Sequence, residues 1–105
     1  MKQYKVVVTD KAETALDKYI GYLVDVKKNE QAANNLFYDY IETRKELERV
    51  AGSIKMPESK KLKERNLKRI NFKRHNYFML FRIDDDKAVV VEIFHGLEDY
   101  ENKLE

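Results

Sequence analysis

The chain has 105 residues, is 43% apolar, 11% aromatic and 38% charged, and sets 21 basic residues against 19 acidic ones for a net charge of +2. That length supports a single hydrophobic core, and the near-cancelling charge argues against a disordered polyelectrolyte. The absence of cysteine excludes disulfides, thiolate metal sites and a thiol nucleophile, and no stretch approaches the ~20 apolar residues of a membrane span.

The N-terminal Met1-Lys2-Gln3-Tyr4 lacks the apolar run of a signal peptide, so the expectation is a cytoplasmic protein without membrane attachment. Residues 3–8, rich in β-branched side chains, read as a short strand. Asp10, followed three residues later by Glu13, has the form of a helix N-cap with its capping-box acid. From there Ala12, Leu16, Tyr19, Ile20, Leu23 and Val24 recur at helical spacing, predicting a helix over 10–28. A second apolar stripe, Ala33, Leu36, Phe37, Tyr40, Ile41, Leu47 and Val50, predicts a helix over 30–51 that stops at Gly52. The two should form a helical hairpin.

Residues 52–65 hold the only proline, Pro57, and read as an ordered loop with room for a helical turn. Three strands follow, over 67–73, 77–83 and 88–94, joined by the short turns Arg74-His75-Asn76 and Asp84-Asp85-Asp86. The acidic turn could tempt a calcium reading, but it lacks further spaced oxygen ligands. Leu97, Tyr100 and Leu104 on an acidic background suit a short terminal helix. No linker divides residues 1–105, which therefore form one domain. The predicted class is α+β, in the order β-α-α-β-β-β, with the helical hairpin on one face of a largely antiparallel four-stranded sheet. The opposite sheet face is expected to be open.

Charge is unevenly placed along this order. Residues 1–43 carry −1, residues 44–82 carry +9 and residues 83–105 carry −6. Lys60, Lys61, Lys63, Arg65, Lys68, Arg69, Lys73 and Arg74 face one acid, Glu64, within fifteen residues. Such density creates a field suited to nucleic acid or to an acidic protein partner.

Four stretches resemble the toxins of the RelE/ParE superfamily of type II toxin–antitoxin modules. Tyr4-Lys5-Val6-Val7-Val8-Thr9 followed by Asp10-Lys11-Ala12-Glu13 is similar to the family's first strand and helix start. Met56-Pro57 stands where the family has a proline loop, and residues 76–86 resemble its interior strand and acidic turn. His95-Gly96-Leu97-Glu98-Asp99-Tyr100 resembles the ParE-like ending. The resemblance covers essentially the whole chain.

It implies a protein that arrests growth and is neutralised by a cognate antitoxin. ParE-type members are associated with DNA gyrase, whereas RelE-type members cleave mRNA in the ribosome without metal or cofactor. This chain departs from the family at two places: Phe78 replaces the strand arginine that ribonuclease members use on phosphate, and Glu98 stands where a basic residue is usual. Both count against mRNA cleavage; the absent arginine and the His95-Gly96 ending favour gyrase, and Phe78 and Glu98 together keep a third reading open. A member that binds a partner or RNA without toxicity is the third reading.

For RNA cleavage the candidate catalytic residues are His95, Arg82 and Tyr100. An imidazole titrates near neutrality and suits proton transfer, an arginine suits phosphate, and a tyrosine can stack or donate a proton. His95 could instead cap the sheet edge and Tyr100 pack into the core; of the other polar residues weighed, His75 reads as a turn residue and Glu92 as an ion-paired acid.

Overall fold

The structure is a computed structural model, and it describes residues 2–104. Strand β1 (Lys5–Val8) leads into helix α1 (Asp10–Asp25) and helix α2 (Glu30–Val50), then a single 3-10 turn at Ala51–Ser53 and a short helix α3 (Lys60–Glu64). Strands β2 (Lys68–Asn71), β3 (Tyr77–Asp84) and β4 (Lys87–His95) follow, and α4 (Tyr100–Lys103) ends the described chain. The sheet order is β1-β4-β3-β2. β2, β3 and β4 are antiparallel neighbours, while β1 lies parallel to β4. The expected α+β architecture, with its hairpin on one sheet face, is the observed one.

Local chemistry explains the boundaries. The N-cap of α1 is Thr9 rather than Asp10: the Thr9 hydroxyl accepts from the Ala12 amide, and Asp10 becomes the first helical residue. Asp10 and Glu13 then place negative charge at the positive end of the helix dipole. α1 stops at Asp25, short of the predicted 28, because the Lys27 and Asn29 amides turn back to the Tyr22 and Leu23 carbonyls. Lys28 takes a left-handed φ of 52° to make that turn.

Gly52 has no left-handed φ and does not terminate α2 as a C-cap glycine would. Its service is steric: a Cβ at position 52 would collide with the Tyr4 ring.

The main core lies between the hairpin and the sheet. Ala12, Leu16, Leu36, Tyr40 and Leu47 from the helices meet Met79, Phe81, Val90 and Ile93 from the strands and Phe72 just past β2. A second cluster corrects the expectation of an open opposite face. There Leu67, Phe78, Leu80 and Phe94 are buried under Leu62 of α3, with Tyr100 and Leu104 of the C-terminal segment packed against them. The sheet needs this cover because β3 is apolar on both faces, and an uncovered Phe78, Leu80 and Phe94 would leave a large apolar patch in water. No helix among the described residues is long and apolar enough to cross a membrane.

Candidate functional site

The three residues expected to cooperate in RNA cleavage do not converge. His95 ends β4 and pairs with Tyr77, whereas Arg82 pairs with Val89 at the other end of the same ladder. Five residue steps along β3 take Tyr77, which lies opposite His95, to Arg82, roughly 17 Å along the strand, too far for one phosphate to contact both His95 and Arg82. Tyr100 lies on α4 with its ring edge-on to Phe78 at 5.2 Å between centroids and tilted over Phe94 at 6.2 Å, a packing role.

His95 itself is committed. Its Nδ1 accepts the Leu97 amide at 3.1 Å, which places the proton of the neutral ring on Nε2. Its ring stands edge-on to Tyr77 at 4.8 Å. The Leu97 bond occupies Nδ1 and leaves Nε2 as the ring position not engaged by it.

Around His95 the chain builds a polar knot. The Glu98 carboxylate accepts from the Tyr19 hydroxyl and from the His95 amide, and it pairs with Lys103. Burial raises the Glu98 pKa, but the bonds from Lys103, Tyr19 and the His95 amide outweigh it and hold the carboxyl below its ordinary range. Burial and the Glu98 partner push the Tyr19 phenol well above its ordinary value. Glu98, the residue that departs from the family pattern, thus ties α1 to the end of β4. Gly96 is required by a close approach, since the Asn76 side chain occupies the space a Cβ would take.

Beside this knot a groove of about 490 Å³ runs between α1 and β4, floored by Ala15, Tyr19, Ile93 and Phe94. Pairing of β1 with β4 stops at Val90, so beyond it β4 keeps β3 on one side and has no strand on the α1 side. The His95 amide points to Tyr19 and Glu98 on that open side, and the Gly96 amide points to Asn76 across the turn. Alternation therefore turns the Ile93 amide and carbonyl outward as well. Glu92 at the groove rim is buried and pairs with Lys11 at 3.0 Å, the ion-paired role expected of it.

The eight clustered cations divide into three groups. Lys73 and Arg74 lean on α2, pairing with Glu46 at 3.7 Å and Glu42 at 2.7 Å. Lys61 donates to the Glu101 carbonyl at 2.7 Å, and Arg69 lays its guanidinium 3.8 Å from the centroid of Phe78. Lys60, Lys63, Arg65 and Lys68 make no ion pair among the described residues and remain open to a partner.

Asp39 was not anticipated. It is 1% exposed, and its carboxylate accepts the amides of Lys73, Arg74 and His75 at 3.2, 2.9 and 2.9 Å. The His75 Nδ1 lies 2.7 Å from the same carboxylate, so His75 is the turn residue expected and also a half-buried partner of the buried Asp39. Burial raises the Asp39 pKa, and these four bonds more than reverse it. The signal was in the sequence: Asp39 and Thr43 interrupt the inward stripe of α2, and an acid there requires buried donors.

Comparison with known proteins agrees with this architecture. A solved chain described as the chromosomal ParDE toxin–antitoxin system from P. aeruginosa superposes with a TM-score of 0.72 at 20% identity, covering 89% of this chain and 96% of that one. No curated protein sequence matches the chain. Residues 6–100 match the family model described as the ParE toxin of the type II toxin–antitoxin system parDE. The chain belongs to the ParE toxin family of type II toxin–antitoxin systems.

Proposed function

We propose that this toxin arrests growth by engaging a protein target, DNA gyrase, and that a cognate antitoxin neutralises it. The observation that carries the choice of target is the separation of Arg82 from His95, together with the commitment of His95 Nδ1 to Leu97. Cleavage without metal needs an acid or base and a phosphate-binding cation at one scissile bond. A protein-binding toxin needs neither.

An antitoxin would be expected to order a flexible segment over the groove beside α1. Beyond Val90 no strand covers β4 on the α1 side, but Ile93 is 1% exposed, so such a segment would seat in the groove between α1 and β4 rather than bond to a free strand edge.

A second reading, mRNA cleavage in the ribosome, is favoured by one feature. Arg69 sets its guanidinium over Phe78, supplying a cation at the strand position where the family's arginine is missing. The open Lys60, Lys63, Arg65 and Lys68 would then track the RNA backbone. The third reading, a partner-binding member without toxicity, predicts no arrest at all. Expression of the chain alone, with gyrase-catalysed supercoiling and primer-extension mapping of cellular mRNA as readouts, separates the three. Inhibited supercoiling with intact mRNA supports the proposal.

A further inference from the structure

The outer face of the helical hairpin carries three large apolar side chains in water. Phe37, Tyr38 and Ile41 of α2 are 43%, 66% and 37% exposed. Phe37 and Ile41 border a cleft of about 200 Å³ whose α1 wall carries Glu13 and Asp17 and whose α2 wall carries Arg44. Arg44 reaches only the Tyr40 hydroxyl, at 3.4 Å, and none of these three charges makes an ion pair among the described residues.

One acidic wall, one basic wall and an apolar centre form a face that complements itself. A two-fold axis lying between the helices and parallel to them lays α1 of one copy over α2 of the other. That operation sets Glu13 and Asp17 against the partner's Arg44 and stacks the apolar centres on each other. The acidic wall opposes docking of nucleic acid or an anionic membrane surface, and a phosphate backbone would not bury Phe37 and Ile41.

We infer that the α1–α2 face is the interface of a homodimer of this toxin, arranged about that axis. The dimer leaves the β4 groove and the Lys60–Lys68 cations on other faces, so it is independent of the choice of target. Rim charges across such an interface set register, while the buried aromatic and aliphatic anchors carry the affinity.

Sedimentation velocity of the purified chain, from low micromolar to near-millimolar concentration, tests this directly. A concentration-dependent monomer–dimer equilibrium is expected. Ile41→Glu should raise the dissociation constant about tenfold or more, as loss of a central anchor does. Glu13→Arg together with Asp17→Arg should also weaken the dimer, and adding Arg44→Asp should restore it, because each copy then carries a basic α1 wall and an acidic α2 wall. The rescue separates a lost contact from a misfolded variant. A chain that stays monomeric throughout the range overturns the proposal, and so does a dimer indifferent to Ile41→Glu and to the charge swap.

Discussion

The Glu98 carboxylate accepts the hydroxyl proton of Tyr19, joining two residues 79 positions apart in the chain. Tyr19 stands on the inner side of α1 and Glu98 just beyond β4, so the bond pins the C-terminal segment to the helical hairpin. The same carboxylate takes the His95 amide at 3.0 Å. An acid at this position therefore has structural work that a basic residue could not do, since a cation cannot accept either proton.

Glu98→Ala should lower stability by about 1–2 kcal/mol, because the Tyr19 hydroxyl and the His95 amide lose their acceptor in a half-buried place. Tyr19→Phe should cost less, as Glu98 keeps Lys103 and the His95 amide. Amide hydrogen exchange over residues 95–104 checks both variants. Protection there should fall in each while the α2 amides stay protected.

Asp39→Ala should be the most damaging single change outside the apolar core. It strands three backbone donors and the His75 ring against a buried void, at a cost of about 2–4 kcal/mol. For a domain of this size the melting temperature should fall by about 10 °C or more. Thermal denaturation of the variant beside the parent measures it.

Acid should act through the same carboxylates. Asp39 and Glu98 are both held below their ordinary pKa values in the folded chain. Their stabilisation is complete above the unfolded values, ~3.9 for Asp and ~4.3 for Glu, and is lost as pH falls through the lower folded values. Urea midpoints taken between pH 7 and pH 3 should drop most steeply below pH 4. In Asp39→Asn that drop should be shallower, since one of the two titrating groups is gone.

Replacing Lys60, Lys63, Arg65 and Lys68 together with alanine should leave the melting temperature within about 2 °C of the parent, because none of them holds an internal ion pair. Retention on immobilised heparin, a polyanion probe, should shift to lower salt. Removing Lys73 and Arg74 should shift it less, because Glu46 and Glu42 already neutralise them.

Particular residues show what was legible from sequence. The hairpin was readable because Leu36, Tyr40 and Leu47 repeat at helical spacing, and the β3–β4 pair because a two-residue turn at Asp85 and Asp86 joins two apolar runs. The cover over the second sheet face was not readable. α3 contributes a single buried side chain, Leu62, and one apolar residue in five has no detectable period. The helix start was misread by one position because Thr9 and Asp10 are both good caps, and backbone geometry decides between them. Of the candidate site, individual roles such as the packing of Tyr100 and the pairing of Glu92 could be anticipated. Strand register decided the rest, since whether Arg82 meets His95 depends on which residues of β3 and β4 lie opposite one another. Periodicity carries no such information.

His95 bears most directly on the central claim, that this toxin acts without an RNA-cleaving centre. Its contacts are to Leu97 and Tyr77, so His95→Ala should cost about 1 kcal/mol and leave the fold intact. The decisive measurement is induced expression of the parent and His95→Ala chains, scoring growth, gyrase supercoiling and primer extension on cellular mRNA together. The account predicts equal growth arrest by both chains, inhibited supercoiling and uncut mRNA. Cleavage at ribosomal positions by the parent, abolished in His95→Ala with supercoiling untouched, would contradict it.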